Sequence, residues 1–255
     1  MAGHFPDPAP LMERAHEILD KADQQDIILR VIGALAFHIH CPQFNYIQEE
    51  TERYFTDIDF MAYVEQKTQI ERLFTGMGYL EDPRIKTVPG LRRSIFFTRD
   101  HSMHSDVFYD MLDFSHEINF RGRLEIDYPT ISLVDLLLEK MQIVQINEKD
   151  IIDTIMLLRE HDIGESDDET VNVDYLAKTC MADWGLWKTV TGNLKKVGQL
   201  LDKYDVLTAE DRQIVRDRLV RSEQRIKEEP ATLRWRLRSR IGERLKWYRD
   251  VDEVM

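Results

Sequence analysis

The pattern of apolar residues changes near residue 132, and this change limits the folds that the chain can adopt. Before it, short runs rich in β-branched and aromatic residues alternate with segments of helical spacing; the clearest such runs are residues 27–32, 57–64, 94–98 and 102–109. Strands that alternate with helices are typical of an α/β or α+β domain with a mixed sheet. From Ser132 onward the apolar residues recur at helical spacing. The sequence therefore predicts an α+β fold that begins with a mixed sheet and ends in helices.

A polar, acidic run at residues 160–169 predicts a linker between two domains. We expect a first domain at residues 11–160, which holds the sheet and a helix that begins after Asn147, a typical N-cap residue. The second domain, residues 170–255, is expected to be all-helical and to be divided at Pro230, because proline interrupts the hydrogen bonds of a helix.

The charge balance and the cysteine content narrow the class of protein. The 34 Lys and Arg residues against 47 Asp and Glu give a net charge of −13, which argues against a protein that coats nucleic acid or an anionic membrane. The two cysteines, Cys41 and Cys180, do not form a disulfide framework, so we expect a cytoplasmic protein. The apolar runs are too short to span a bilayer, and no membrane partner is expected.

Two aspartates stand two residues apart in the run Thr56-Asp57-Ile58-Asp59-Phe60. On a strand both point to the same face, where their charges repel each other unless a cation lies between them. Asp106 lies among apolar neighbours in another predicted strand and would supply a third carboxylate. Carboxylates suit Mg²⁺ or Mn²⁺, and a pair of such ions can bind the attacking and leaving oxygens of a phosphoryl transfer. A solvent-exposed strand also commonly carries an Asp-x-Asp pair, so the spacing alone leaves both interpretations open.

Three segments follow one another along the first half of the chain: Val31-Ile32-Gly33-Ala34-Leu35-Ala36, Arg53-Tyr54-Phe55-Thr56-Asp57-Ile58-Asp59 and Asp106-Val107-Phe108. In this order they resemble the minimal nucleotidyltransferases of the DNA polymerase β superfamily. The later run Asp135-Leu136-Leu137-Leu138-Glu139-Lys140, followed by Lys149, Asp150 and Asp153, is similar to the AbiEii-like branch, whose members include toxins of toxin–antitoxin systems. The resemblance covers about residues 25–160.

The resemblance implies a polymerase-β-like fold and the metal-dependent transfer of a nucleoside monophosphate from a nucleoside triphosphate to a hydroxyl acceptor, with release of pyrophosphate. It implies that Asp57 and Asp59 bind the catalytic Mg²⁺ or Mn²⁺ and that Asp106 assists the metals or activates the attacking hydroxyl. The residues expected to contact or line the nucleotide site are Gly33, Ala34, Arg53, Thr56, Lys140, Lys149, Asp150 and Asp153. The acceptor is left open between RNA, protein and a small molecule, and a toxin would have an antitoxin protein as its partner.

Two departures from the family pattern support a second hypothesis. Ala34 stands where the family usually has a second small Gly or Ser, and the predicted polar loop 43–55 contains Glu49, Glu50 and Glu52 near the expected nucleotide path. The alternative is a catalytically degenerate module that binds a nucleotide or a partner without turnover.

The end of the chain is locally basic and contains interleaved aromatic residues between Arg234 and Arg249. This pattern can be an RNA-binding face. We favour an amphipathic helix whose arginines pair with acidic residues and whose apolar side chains pack on the core. The side chains expected to pack inward are Trp235, Ile241, Leu245 and Tyr248.

Overall fold

The computed structural model of the chain describes residues 8–51, 53, 55–86, 90 and 92–250. Glu52 of the acidic loop, Tyr54 before the aspartate pair and residues 251–255 of the expected helical domain lie outside the described residues. The elements follow in the order α1 (Ala9–Asp23), β1 (Leu29–Ile32), α2 (Gly33–His40), α3 (Tyr46–Glu50), β2 (Ile58–Ala62), α4 (Lys67–Gly76), β3 (Leu80–Glu81), α5 (Pro83–Lys86), β4 (Arg93–Phe97), β5 (His104–Tyr109), β6 (Met111–Asp113), β7 (Glu117–Asn119), α6 (Leu133–Met141), α7 (Glu148–Glu160), β8 (Ile163–Gly164), β9 (Val171–Asn172), α8 (Val173–Ala182), α9 (Trp184–Leu200), α10 (Ala209–Glu228) and α11 (Leu233–Ile241). Short 3₁₀ helices lie at Val64–Gln66, Leu201–Lys203 and Gly242–Arg244.

The chain forms two compact units, whose boundary differs from the predicted domain boundary. The first unit consists of Met1–Ile39, Glu52–Leu112 and Asn119–Ser132, and the second of His40–Thr51, Asp113–Ile118 and Leu133–Met255. The sequence predicts α6 and α7 in the domain of the sheet, residues 11–160, and the later helices in residues 170–255. In the structure α6 and α7 instead pack against α8, α9 and α10 within the second unit. The reason is that every residue of α6 is buried, so this helix needs packing partners on all sides.

A mixed five-stranded sheet forms the first unit's centre and confirms the predicted α+β class. Its strand order is β1-β2-β5-β4-β3. β2 and β5 run parallel, β1 is antiparallel to β2, and β4 is antiparallel to both β5 and β3. The two-residue strand β3 and the small β6–β7 sheet were not apparent in the sequence, because such short segments carry no periodicity.

Aromatic packing fixes β2 within this unit. Phe60 of β2, Phe74 of α4 and Phe96 of β4 are fully buried. The rings of Phe74 and Phe96 stack at a centroid distance of 4.2 Å, and Phe60 meets Phe74 edge to face at 6.2 Å. Aromatic pairs of this kind add to the stabilisation that burial provides. The strand that carries Asp59 therefore rests on a close-packed core.

The second unit consists mainly of helices whose ends follow local sequence signals. Asn147 caps α7 as predicted, and it forms a capping box with Asp150. Thr208 and Asp211 form a second capping box at the start of α10. Pro230 lies between α10 and α11, where the sequence predicts a break. None of the described helices combines the length and the apolar character needed to cross a bilayer.

Two segments predicted as loop or linker contain regular structure. Part of the 43–55 loop forms the short helix α3. Within the predicted 160–169 linker, β8 pairs in parallel with β9. The acidic side chain of Asp162 lies 3.5 Å from Nε of Arg218 and 3.3 Å from Nη1 of Arg221. The linker prediction was wrong because these ion pairs tie the acidic run to α10.

The inward packing predicted for the chain's basic end is wrong for two of its four residues. Ile241 and Leu245 are exposed, whereas Trp235 and Tyr248 are partly buried. The reason is that Trp235 and Arg238 occupy the inner side of α11, which leaves the next apolar positions in solvent.

Candidate functional site

The turn from β1 into α2 lies directly against Asp59. Gly33 has a φ of +70°, a left-handed conformation that favours glycine. A methyl group at this position would lie 2.5 Å from Oδ2 of Asp59. Ile32, just before the turn, is the paired neighbour of Asp59 in the antiparallel β1–β2 ladder. The glycine is thus required both by the backbone conformation and by the close approach of this carboxylate.

Asp59 and Asp106 are paired residues on the parallel strands β2 and β5. Paired residues of neighbouring strands lie on the same face of a sheet, with strands about 4.8 Å apart. Asp57 precedes β2, and its Oδ2 lies 3.3 Å from Nε2 of His104, the first residue of β5. Thr56 Oγ1 donates a hydrogen bond of 3.1 Å to Oδ1 of Asp57. Asp57 therefore lies just before β2, Asp59 lies within β2, and Asp106 lies within the adjacent strand β5.

Asp106 is the most buried of the three acids, with 3% of its surface exposed. Arg93 of β4 forms an ion pair with its Oδ2 and lies 5.1 Å from the ring centre of Phe108. The other oxygen, Oδ1, is buried and has no hydrogen-bond partner among the described residues. Burial raises the pKa of Asp106, as does the charge of Asp57, and Arg93 and His104 oppose the rise.

The oxygen atoms of these three acids are suitable ligands for a hard divalent cation. They offer only carboxylate oxygens, which Mg²⁺ and Mn²⁺ prefer, and the unpaired Oδ1 of Asp106 is open to a cation or a hydrogen-bond donor. Arg93 already binds Oδ2, so that oxygen reaches an ion only if this contact is released. Within the described part of the chain, no three His, Cys, Asp or Glu side chains are grouped as ligands of one ion.

The remaining predicted residues of the first unit differ in exposure. Thr56 is exposed, while Ala34 and Arg53 are partly buried. Ala34 lies in the first turn of α2, an eight-residue helix. Thr56 contacts the acid cluster directly through its hydrogen bond to Asp57.

The second unit brings Lys140, Asp150 and Asp153 together. Nζ of Lys140 lies 3.6 Å from Oδ1 of Asp150 and 3.3 Å from Oδ2 of Asp153. A further carboxylate, Oε1 of Glu139, lies 3.3 Å from the same ammonium group. Gln48 of α3 donates a hydrogen bond of 3.0 Å to Oδ1 of Asp153. One cation thus faces three carboxylates, and the cluster is negatively charged when all four groups are ionised.

A cavity of about 360 Å³ opens beside this cluster within the second unit. Lys140, Asp150, Ser115 and Arg249 are among the residues that line it. Its volume falls at the lower end of the range of small-molecule sites. Lys149 is exposed and forms no ion pair with the residues that the structure describes. Lys140 and Asp150 therefore border a space that a small ligand could occupy.

Arg93, His104, Glu139 and Gln48 belong to these clusters but were not among the site residues predicted from the sequence. The contact of Arg93 with Asp106 could have been predicted from the sequence. A hairpin turn near residue 100 places Ile95 opposite Asp106, and Arg93 is then the diagonal neighbour of Asp106. His104 had no such signal, because its contact with Asp57 depends on the parallel pairing of β2 with β5. Gln48 lies in a polar loop without periodicity, so nothing in the sequence indicates its contact with Asp153.

Comparisons with protein-family models, with curated proteins and with solved structures found no match. The chemistry of both clusters therefore rests on the residues of this chain.

Proposed function

We propose that the protein is a metal-dependent nucleotidyltransferase of the polymerase β type, in the AbiEii-like branch. The main support is the arrangement of Gly33, Asp59 and Asp106. A left-handed glycine turn at the end of β1 meets an aspartate on β2, which is paired with an aspartate on β5. This combination supplies a close backbone approach for phosphate beside carboxylates for cations.

Asp57, Asp59 and Asp106 would hold the divalent ions, and bound Mg²⁺ or Mn²⁺ would offset the charge of the triphosphate. The turn at Gly33 and Ala34 would approach the phosphates through its backbone, since neither side chain carries a donor. Oδ1 of Asp106 would accept the proton of the acceptor hydroxyl, because this oxygen has no hydrogen-bond donor among the described residues. Arg53 and Thr56 would contact or line the nucleotide site, as the resemblance implies.

The proposed reaction is a substitution at the α-phosphorus of the nucleoside triphosphate. The hydroxyl oxygen of the acceptor forms a bond to this phosphorus, the bond to the bridging oxygen of the β-phosphate breaks, and pyrophosphate leaves. The hydroxyl proton passes to Oδ1 of Asp106. Catalysis by such a site rests on positioning and on neutralisation of charge.

The contribution of Lys140, Lys149, Asp150 and Asp153 to nucleotide binding stays a prediction. Lys140 already has three carboxylate neighbours, so a phosphate that contacts it must compete with them. Lys149 is exposed and carries no such neighbours among the described ion pairs. We expect Lys149 to be the more available of the two cations.

A degenerate nucleotide-binding module is the second candidate. The ion pair between Arg93 and Asp106 favours it, because an arginine that neutralises the third acid takes the place of a metal charge. In the active enzyme this contact must open when the ions bind. In the degenerate module it persists, and nucleotide binding without transfer is the expected behaviour.

Incubation with each α-labelled nucleoside triphosphate, Mg²⁺ and total cellular RNA or protein tests the proposal. An active enzyme transfers label from a preferred nucleotide to one fraction, and this result identifies the donor and the acceptor class together. Label in RNA or in a partner protein would also test the proposed toxin role, for which a cytoplasmic antitoxin is the proposed partner. Nucleotide binding without label in any fraction supports the degenerate module.

A further inference from the structure

Helix α11 exposes a row of apolar side chains. Leu233, Leu237 and Ile241 are 66%, 52% and 41% exposed and follow one another at intervals of four. Leu245, just after the helix, is 59% exposed. The other large apolar residues that are exposed in the described chain lie scattered, at Val64, Leu80, Ile126, Tyr128 and Val220. Single exposed apolar residues are ordinary, whereas a contiguous row marks an interaction site. We call Leu233, Leu237 and Ile241 the apolar row.

The opposite side of α11 is anchored in the second unit. Thr232 caps the helix by accepting a hydrogen bond from the Trp235 amide. The ring of Trp235 meets that of Trp187 at 5.2 Å, and the guanidinium of Arg238 lies 4.7 Å from the ring centre of Trp184. These contacts hold α11 in place without covering the apolar row.

An arginine row runs beside the apolar row. Arg236, Arg240 and Arg244 each follow an apolar position by three residues, which places Arg236 and Arg240 on the adjacent strip of the helix surface. These three arginines are exposed and form no ion pair with any residue that the structure describes. In a chain with a net charge of −13, an exposed cationic strip without partners is unusual. It indicates an anionic ligand.

We propose that α11 is a docking surface for an acidic amphipathic helix of a partner protein. The spacing of four residues forms the ridge that packs into the groove of another helix. Leucine and isoleucine in this row would be buried by the partner's apolar side chains. Carboxylates along the edge of the partner helix would meet the arginine row in charge-assisted hydrogen bonds.

Other anionic ligands fit this surface less well. Single-stranded RNA needs aromatic platforms for its bases, but Trp235 packs on Trp187 and Trp247 packs on Trp184. Attachment to a membrane surface needs a strongly amphipathic helix, whereas α11 carries apolar side chains on both sides, with Trp235 packed inward on Trp187. A second copy of the chain offers no acidic helix with an exposed apolar row among its described residues.

The test uses the full chain and a fluorescently labelled peptide. The peptide is a designed helix of roughly 18 residues, or five turns, with leucine at positions three and four apart and glutamate on both flanks. Binding is followed by fluorescence anisotropy. The matched peptide carries lysine in place of every glutamate. Two double variants, Leu237→Ser with Ile241→Ser and Arg240→Glu with Arg244→Glu, each alter one row. Val220→Ser and Lys203→Glu are control variants at exposed positions elsewhere in the second unit.

We expect saturable binding of the glutamate peptide at concentrations below about 1 mM, and no binding of the lysine peptide. Each double variant should weaken binding by about tenfold or more, a change of about 1.4 kcal/mol, while the control variants bind as the unaltered chain does. Circular dichroism and the thermal midpoint should stay unchanged, since the altered side chains lie in solvent.

Three results overturn the proposal. The first is absence of saturable binding, or binding that both double variants retain. The second is binding to phosphatidylserine vesicles or to a single-stranded RNA oligonucleotide in place of the peptide. The third is self-association of the chain that the Leu237→Ser and Ile241→Ser variant abolishes, which would assign the row to a second copy.

Discussion

Asp59 of β2 and Asp106 of β5 are directly paired residues of two parallel strands. Their carboxylates share one face of the sheet, and Asp106 is almost fully buried. Arg93 binds one oxygen of Asp106 and leaves the other without a partner among the described residues. Two acids held together in this way favour the binding of positive charge, which is the basis of the proposed activity.

Replacement of Asp59 should abolish nucleotidyl transfer and leave the fold intact. In Asp59→Asn the side chain keeps its shape and loses the negative charge that the ions require. We expect a loss of transfer of at least about a hundredfold and a thermal midpoint close to that of the unaltered chain. Asp20→Asn, an exposed acid on α1, is the control and should keep full activity. Equal activity of the two variants would refute the role of Asp59.

Replacement of Gly33 should destabilise the protein. Gly33→Ala places a methyl group 2.5 Å from Oδ2 of Asp59 at a φ of +70°. The expected cost is about 1–3 kcal/mol in the free energy of unfolding, measured by urea denaturation. Gly76→Ala is the matched control, because nothing lies within 4 Å of the added methyl and the residue ends helix α4. This control should be neutral or slightly stabilising; similar losses for both variants would contradict the tight turn.

Removal of Arg93 should make folding stability more sensitive to pH. Burial raises the pKa of Asp106, and Arg93 opposes the rise. The folded state therefore holds a proton that the unfolded state releases, so stability falls as pH rises from the unfolded to the folded pKa. In Arg93→Met this window extends to higher pH and the fall is larger, up to about 3 kcal/mol by neutral pH.

The measurement is urea unfolding of both proteins across the acidic range. The deficit of Arg93→Met should shrink as pH falls and Asp106 takes up its proton. A deficit that stays constant with pH, or one that persists when Asp106→Asn is also present, would show that Arg93 acts through packing alone.

The two predicted lysines should differ in their effect on stability. Lys140→Met leaves Glu139, Asp150 and Asp153 without their shared cation and should cost about 3–5 kcal/mol. Lys149→Met, at an exposed position, should change stability by less than about 0.5 kcal/mol. Denaturant unfolding separates the two, and comparable losses would contradict the distinct environments. A loss of transfer in Lys149→Met at unchanged stability would support its contact with the nucleotide.

Sequence patterns were sufficient for the main strands and helices but not for their neighbours in space. The β-branched and aromatic runs at 94–98 and 102–109 became β4 and β5, and Asn147 capped α7 as predicted. The parallel pairing of β2 with β5 depends on long-range packing that no local signal contains. The run at 160–169 was mistaken for a linker because its acidic character gave no hint of arginines about 60 residues later.

In the candidate site, too, the sequence indicated the residues but not the contacts between them. Gly33, Asp57, Asp59 and Asp106 could be selected from residue type and spacing, and the structure places them on adjoining elements. Arg93 and His104, which contact Asp106 and Asp57, were missed because these contacts depend on how the strands pair. At the end of the chain, composition indicated an amphipathic helix, but only the packing of Trp235 showed which side of it remains exposed.

Whether Asp59 and Asp106 hold divalent ions can be measured by titration with Mn²⁺, followed by electron paramagnetic resonance in the presence of a non-hydrolysable triphosphate. We expect the unaltered chain to bind Mn²⁺ and Asp59→Asn and Asp106→Asn each to lose this binding, while Asp20→Asn retains it. Equal Mn²⁺ binding by all four proteins, or none by the unaltered chain, would contradict the claim that these acids hold divalent ions.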